Sequence, residues 1–231
     1  MLLENTSAVF KKMSHAAMRA GRRPEDVRLV AVTKTIGIDL IRQACDVGLR
    51  VFGENKVQEA QNKVSALRSE MPDIRIEWHM IGHLQRNKAK PAVGLFDLIH
   101  SLDSEELAAD LDRAAGSLGK VQRVLIQVKL SMEETKSGVA EEGLSPLVGR
   151  VANLRNIKLE GLMTMPPFFD DPELSRPYFR RLRELRDELG KKGFALPELS
   201  MGMSHDFEVA IQEGATLVRI GTAIFGERRA A

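Results

Sequence analysis

Cysteine is almost absent from this chain of 231 residues, which has a single one at position 45. One cysteine cannot form an internal disulfide, and a chain without disulfides is typical of a reducing cytoplasm. Cys45 lies at a helical position among apolar residues in DLIRQACDVGL, and no His or Asn is close to it in sequence. We therefore interpret Cys45 as a small core residue and not as a nucleophile.

The chain also lacks a strong excess of charge and any long apolar run. Its 34 basic and 32 acidic residues leave a formal net charge of +2. Electrostatics therefore give no reason to expect a nucleic acid or an anionic membrane as a partner. No apolar run approaches the ~20 residues of a membrane span. Glu4 and Asn5 interrupt any signal-peptide core at the N-terminus. A hydrophobic content of 43% indicates instead a globular chain with a sizeable core.

What the sequence does contain is a regular alternation of short apolar runs and amphipathic helical stretches. Eight runs rich in Val, Ile and Leu predict buried strands. The first and fifth are nearly continuous, as expected of parallel strands that are covered on both faces. Eight strand–helix units in roughly 200 residues favour an α/β fold of the (β/α)8 TIM type. The predicted strands are Arg28–Val32, Arg50–Gly53, Arg75–Ile81, Phe96–His100, Val121–Val128, Leu159–Met163, Glu198–Met201 and Thr216–Ile220.

Helical stretches follow these strands in step, and an extra helix is expected ahead of the first strand. No long linker or low-complexity tract divides the chain, so we expect residues 1–231 to form a single domain. A doubly wound open sheet is the alternative. No G-x-G-x-x-G follows the first strand, which weakens the dinucleotide-binding form of that fold. The predicted helices are Ile38–Val47, Asn55–Ser69, Ser104–Leu118, Leu144–Leu154, Tyr178–Leu189 and His205–Glu213.

In barrels of this type, ligands bind where strands end and loops begin, so polar residues just beyond each strand are the candidates. Lys34 follows a fully apolar run and stands between two threonines. It is either a solvated lysine at a strand end or a reactive amine in a partly dry barrel mouth. Burial and a nearby cation lower the pKa of a lysine and free its amine to attack a carbonyl.

Two turns near the C-terminus are suited to an anion. The segment SMGMS lies at a strand-to-helix junction, where helix N–H groups are free, although Ser204 could equally be the N-cap of that helix. In VRIGTAIFG, Arg219 lies within an apolar strand, and Gly221 and Thr222 begin a last short helix. Loops after strands seven and eight form the phosphate site in many barrels. A lysine together with a phosphate site points to a phosphorylated aldehyde. Pyridoxal 5′-phosphate (PLP), held as a Schiff base, is the leading candidate.

These residues belong to longer motifs that resemble one known family. Between Leu29 and Arg228, in the family's order, the chain contains AVTKT, FGENKVQEA, EWHMIGHLQRNK, IHSLDS, VLIQVKLSMEETKSG, LEGLMTM, SMGMSHDFEVAI and VRIGTAIFG. Together these motifs are similar to the pyridoxal phosphate homeostasis proteins. The family fold is a barrel like the N-terminal domain of alanine racemase. One departure is His205, where many members carry an acidic residue.

The resemblance implies a role for each site residue. Lys34 would carry PLP as a Schiff base, Arg219 would face the pyridine nitrogen, and Asn55 would lie near the ring hydroxyl. The phosphate would be held by Ser200, Gly202, Gly221 and Thr222. The pocket would be lined by Met201, Met203, His83 and Met163. No metal is implied.

The resemblance also favours a binding protein over an enzyme. Alanine-racemase-like enzymes share the arginine at the pyridine nitrogen, but they take a second base, a tyrosine, from a C-terminal domain of the partner subunit. This sequence stops soon after Thr222 and has one tyrosine, Tyr178, on a predicted outer helix. We therefore expect a cytoplasmic monomer that holds, buffers and delivers PLP in vitamin B6 homeostasis, with apo forms of PLP enzymes as candidate recipients.

Two alternatives stay open. A small amino-acid racemase could use Lys34 together with His79 or His83 as a solvent-side acid, although His79 could equally be a satisfied core histidine. A regulatory protein that senses PLP and binds another protein is the third interpretation. Lys136, in the segment ETKSG, is either solvated or reaches a ligand anion.

Overall fold

The fold is a closed barrel of eight parallel strands, which confirms the predicted (β/α)8 architecture. A computed structural model describes residues 1–131 and 137–227. Each strand pairs with the next along the chain, and the last pairs with the first. The strands are β1 Arg28–Val32, β2 Val51–Glu54, β3 Glu77–Met80, β4 Leu98–Leu102, β5 Gln122–Gln127, β6 Ile157–Met163, β7 Glu198–Met203 and β8 Leu217–Ile220.

Helices surround the barrel, and the first of them precedes β1 as predicted. The helices are α1 Leu2–Arg19, α2 Ile38–Asp46, α3 Val57–Glu70, α4 Ala89–Leu95, α5 Glu105–Ser117, α6 Glu141–Val151, α7 Arg176–Lys191, α8 Phe207–Gln212 and α9 Thr222–Phe225. Helix α4 is absent from the sequence-based prediction. It has only seven residues and contains both Pro91 and Gly94, so its sequence shows little helical periodicity. None of the described helices is both long and apolar enough to cross a bilayer.

Strand register explains why the candidate residues meet at one rim. On β1, Leu29 and Ala31 face the helices, whereas Val30 and Val32 face the barrel interior. Val30 lies opposite Arg219 on β8. Val218 and Ile220, the neighbours of Arg219 on β8, pack on the helix side. Because side chains alternate along a strand, Arg219 faces inward. The carboxyl ends of all eight strands point the same way, so residues that follow β1, β2, β7 and β8 share one opening.

The core is divided between two layers. The larger layer fills the space between the sheet and the helices, where the rings of Phe52 and Trp78 lie 5.5 Å apart. The smaller layer lies inside the barrel and contains Val30, Leu98 and Leu125. Polar side chains also occupy the interior, and they are described with the site below. Packing on the helix side therefore supplies most of the apolar burial.

The close pairing of β6 and β7 yields a stability prediction at Gly161. A Cβ atom at this position would lie 1.9 Å from the carbonyl oxygen of Glu198, so the two strands would have to separate. We expect Gly161→Ala to lower the free energy of unfolding by about 3 kcal/mol, the upper end for overpacked positions. Urea denaturation measures this change.

Gly149 provides the matched control, because it lies within α6 and a Cβ there meets no atom within 4 Å. Gly149→Ala should raise stability by about 0.5 kcal/mol through helix propensity. Equal changes in the free energy of unfolding for Gly161→Ala and Gly149→Ala would contradict the packing argument.

Candidate functional site

A cavity of about 410 Å³ opens at the carboxyl rim of the barrel. It collects residues from the ends of β1, β2, β3, β6, β7 and β8, so segments distant in sequence share one wall. The residues of the predicted site that line it are Lys34, Asn55, Arg219, Gly221 and Thr222, together with His83 and Met203. The remaining lining residues are Val32, Ile81, Gly82, Met165, Phe168, Ser204 and His205.

Three predicted site residues on β7 lie outside the cavity lining. Ser200 is fully buried beneath the cavity, where its hydroxyl contacts Arg219. Met201 packs into the layer between sheet and helices. Gly202 has φ +90°, and a Cβ atom there would lie 2.5 Å from the Cβ of Ala210 on α8. Met163 belongs to the apolar layer inside the barrel. These residues can shape the site, but the cavity surface is formed by others.

Ser204 joins the ends of β7 and β8. Its hydroxyl oxygen accepts hydrogen bonds from the backbone N–H groups of Gly221 (3.2 Å) and Ala223 (3.3 Å). Helix α8 begins at Phe207 and has no side-chain cap, so the N-cap interpretation of Ser204 is wrong. Sequence reasoning had no signal for this contact, because the partners are 17 and 19 residues away.

Arg219 is the buried cation of the cavity wall, with 3% of its surface exposed. Its Nη1 donates to Ser200 Oγ at 2.6 Å, and its Nη2 donates to the carbonyl oxygen of Thr164 at 3.0 Å. Burial lowers the pKa of Arg219 to about 10, so the guanidinium is charged at neutral pH. Among the described residues, no carboxylate forms an ion pair with it within 4.0 Å. A cation held this way favours an anionic or electron-rich ligand in the cavity.

A buried network of hydrogen bonds continues from Arg219 through the barrel interior. Ser200 Oγ lies 2.8 Å from His100 Nδ1, and His100 Nε2 lies 3.0 Å from His79 Nδ1. His79 Nε2 lies 3.0 Å from Glu77 Oε1. We call Glu77, His79, His100, Ser200 and Arg219 the buried network. It links the cavity at one end of the barrel to the amino ends of the strands at the other.

The two ends of the buried network, together with the neutral state of its histidines, determine the direction of every bond in it. Arg219 can only donate, and an ionised Glu77 can only accept. Ser200 therefore accepts a hydrogen bond from Arg219 and donates one to Nδ1 of His100. His100 in turn donates from Nε2 to His79, and His79 donates from Nε2 to Glu77. Each neutral histidine then carries its proton on Nε2. Burial lowers the pKa of His79 and lowers that of His100 further, and both shifts favour the neutral ring.

This arrangement settles the interpretation of His79 and leaves His83 as the histidine of the cavity. His79 is a satisfied core histidine and does not line the cavity. The His83 side chain is 55% exposed, and its Nδ1 lies 3.5 Å from Asp103 Oδ2. Burial raises the pKa of Asp103. Tyr178 stacks on Phe169 and does not line the cavity. Lys136 lies outside the described residues.

The described residues contain no group of three or more His, Cys, Asp or Glu side chains that could hold a metal ion. The cavity wall instead combines a lysine, a buried arginine, a hydroxyl and backbone N–H groups. These groups suit a small ligand with a phosphate and a carbonyl.

Comparison with known proteins agrees with this chemistry. The chain matches the alanine racemase N-terminal domain family over residues 5–229. It is 50% identical over 227 residues to the pyridoxal phosphate homeostasis protein of Aquifex aeolicus, covering 98% of each chain. This chain belongs to the pyridoxal phosphate homeostasis protein family. The Escherichia coli protein of that name is 39% identical over 229 residues, which is 98% of this chain and 97% of that one. The resemblance of the motifs is thereby confirmed.

Solved structures place the family in its fold class. PipY of Synechococcus elongatus is 37% identical with a TM-score of 0.85, covers 98% of this chain and 100% of its own, and has been solved both without PLP and with PLP bound. An unknown protein from Bifidobacterium adolescentis is 36% identical with a TM-score of 0.91, over 97% of this chain and 94% of that one. Alanine racemase of Clostridium difficile, at 16% identity and a TM-score of 0.74, covers 98% of this chain and 58% of its own and shares the fold.

The amino end of the buried network yields a pH prediction. In acid, the hydrogen bond from His79, the positive charge that His79 carries once it is protonated, and the Arg123 guanidinium together lower the pKa of Glu77 to about 2. An unfolded glutamate titrates near 4.5. The stability that ionised Glu77 contributes is therefore complete above about pH 4.5 and lost as pH falls toward 2. We expect Glu77→Gln to be less stable than the wild type at neutral pH, with a difference that shrinks in acid.

Urea denaturation of both proteins from pH 7 to about pH 3 measures this difference. The other carboxyl groups titrate in both proteins, so their effects cancel. A difference that stays constant with pH would contradict the lowered pKa of Glu77.

Proposed function

We propose that the cavity binds PLP and that the protein holds, buffers and delivers this coenzyme, as the family name indicates. The observation that carries the proposal is the placement of Lys34 at the end of β1, in one cavity with Arg219 and the turns that follow β7 and β8. PipY, a relative in the same family, has been solved with PLP bound. A cavity of about 410 Å³ lies within the usual range for sites of small ligands, roughly 300–1,000 Å³.

The residues around the cavity fit each part of the coenzyme. Lys34 supplies the amine that captures the aldehyde of PLP as a Schiff base, with loss of water. Ser204 accepts the N–H of Gly221 and keeps its own hydroxyl proton to donate, and Thr222 adds a second hydroxyl to the cavity wall, so this turn suits a phosphate. Arg219 would face the pyridine nitrogen, and Asn55 the ring hydroxyl. Ser200 would act from beneath the cavity through Arg219, whereas Met201 and Gly202 would fix the shape of β7 from its helix side.

Arg219 limits catalysis without excluding it, because alanine-racemase-like enzymes share such an arginine and add a tyrosine as a second base. Tyr178, the one tyrosine of this chain, does not line the cavity. A guanidinium donates hydrogen bonds and does not take up a proton. The pyridine nitrogen opposite Arg219 would therefore stay unprotonated, and an unprotonated ring is a weak electron sink. This chemistry suits a protein that stores a reactive aldehyde as a Schiff base and keeps its free concentration low. The cytoplasm, a monomeric state and apo PLP enzymes as recipients remain predictions of the same proposal.

Substitution of Lys34 tests the proposal directly. Mixing the wild-type protein with PLP should produce the absorption band of a Schiff base. Borohydride reduction followed by peptide mass spectrometry should then locate the adduct on Lys34. Lys34→Ala should show neither signal, because the substitution removes the amine that the end of β1 presents to the cavity.

Lys158→Ala is the matched control. Lys158 is an exposed lysine that forms an ion pair with Glu160. It lies at the amino end of β6, and the cavity is at the carboxyl ends of the strands. This variant should behave like the wild type. A wild-type protein that forms no adduct with PLP, or an adduct that survives in Lys34→Ala, would refute the proposal.

The position of His83 supports one alternative, a small amino-acid racemase. His83 lines the cavity, partly exposed and near Asp103, so it could return a proton to a substrate carbon on the face away from Lys34. Exchange of the alanine Cα proton in D2O, with PLP added, measures this activity. We expect the wild-type protein to exchange this proton no faster than the His83→Ala variant, and far more slowly than a racemase turns over. Rapid exchange that His83→Ala abolishes would establish the enzyme instead.

A further inference from the structure

The backbone on both sides of Lys34 is tied to one buried ion cluster. Lys63, on α3, is only 6% exposed. Its Nζ donates to the carbonyl oxygen of Thr33 at 2.6 Å, to Glu54 Oε1 at 2.8 Å and to Glu59 Oε1 at 2.6 Å. Glu59 Oε1 also accepts the backbone N–H of Thr35 at 2.6 Å. Thr33 and Thr35 are the two neighbours of Lys34 in sequence, so one cluster holds the peptide on either side of it.

The conformation of Thr35 shows why such support is needed. Thr35 has φ +65°, and it is the sole non-glycine residue with positive φ in residues 1–131 and 137–227. The left-handed region is disfavoured for a β-branched side chain, so Thr35 would leave it unless other contacts held it there. Thr35 is exposed and its hydroxyl bonds to the adjacent carbonyl of Lys34. The bond from its N–H to Glu59 is the contact that links this strained residue to a helix.

The other members of the cluster have a structural role that makes them poor targets for a test. Glu54 is fully buried at the end of β2, and its Oε1 accepts from Lys63 and from the hydroxyl of Thr33. Removing Lys63 would leave this carboxylate buried without a cation, which strongly destabilises a fold. Glu59 is more exposed, and its loss leaves Lys63 still paired with Glu54.

We propose that Glu59 and Lys63 are positioning residues that hold the turn Thr33–Thr35, and that they thereby aim the amine of Lys34 at the aldehyde of the coenzyme. This inference rests on the proposed function, because it concerns the reaction of Lys34 with PLP. The supporting observations are the three hydrogen bonds of Lys63, the bond from Thr35 to Glu59 and the positive φ of Thr35.

The decisive variant is Glu59→Ala, which releases Thr35 and keeps the Lys63–Glu54 pair. Stopped-flow absorbance gives the rate of Schiff-base formation with PLP, and we expect this rate to fall about tenfold, within the range that misplacement of a reacting group produces. Glu59→Gln keeps an oxygen acceptor for the Thr35 N–H and should retain most of the rate. Thermal unfolding confirms that each variant is folded.

Labelling of the coenzyme-free protein separates positioning from a change in basicity. Acetic anhydride is small and approaches an amine from any direction, so its reaction with Lys34 depends on the pKa of Lys34 and little on where the amine points. Peptide mass spectrometry over a range of pH should therefore give the same profile for Glu59→Ala and the wild type. A shifted profile would show that Glu59 acts on the pKa of Lys34, and it would overturn the positioning role.

A second substitution at Thr35 should rescue the effect. Asparagine adopts positive φ far more readily than threonine. Adding Thr35→Asn to Glu59→Ala should therefore recover most of the lost rate. Glu70→Ala is the matched control, because Glu70 lies at the far end of the same helix and pairs with Arg42. It should leave the rate unchanged.

The outcomes distinguish this inference from the proposed function. If the wild-type protein forms no Schiff base with PLP, the proposed function fails. If the wild type reacts and Glu59→Ala reacts equally fast, the positioning role alone fails. An absence of rescue by Thr35→Asn would also refute it, because the positioning role requires that the conformation of Thr35 carries the effect.

Discussion

The interior of this barrel is organised around one buried guanidinium. A charged group taken out of water needs hydrogen-bond partners, and two of the N–H donors of Arg219 find them in Ser200 and the carbonyl oxygen of Thr164. Ser200 then donates its proton to His100, which needs a further acceptor for its own N–H. His79 is that acceptor, and the Glu77 carboxylate accepts the N–H of His79 and ends the network. Polar residues on three further strands thus follow from a single arginine on β8. The apolar side chains inside the barrel pack around this network, and together they form a rigid floor for the cavity.

The two cations of the site are held in different ways, and the difference matches their proposed tasks. Arg219 is part of the barrel wall, and a network fixed at both ends prevents its head from moving. Lys34 stands beyond the end of β1, on a turn that the neighbouring helix supports from outside the barrel. A fixed cation suits recognition of a ring and its nitrogen, whereas a nucleophile on a supported turn can change partners as the aldehyde enters and leaves. Reversible storage of a coenzyme requires both properties in one cavity.

The strands and the rim residues could be predicted from the sequence because they depend on local pattern. Apolar runs mark β1 to β8. The rim residues Lys34, Asn55, Gly221 and Thr222 follow closely after strands, and this placement predicts that they share one opening. The direction in which Met201 points could not be predicted in the same way, because the β7–β8 register shifts between Ser200 and Met203 and interrupts the simple alternation. The partners of Ser204 and the contact between His79 and His100 also escaped prediction. These contacts join residues that the closed barrel brings together from separate strands, so no local pattern reports them.

The buried network has a consequence for how substitutions in this family are interpreted. In barrels of this type, residues at the amino ends of the strands are usually assigned to stability, and residues at the carboxyl ends to function. Here Glu77 stands at the amino end, beside Arg28 and Arg123, and four hydrogen bonds join it to the arginine of the coenzyme cavity. The two faces of the molecule are therefore not independent. A substitution at the amino ends of the strands, found in a genetic screen and far from any ligand, could therefore cause a defect in vitamin handling through this network.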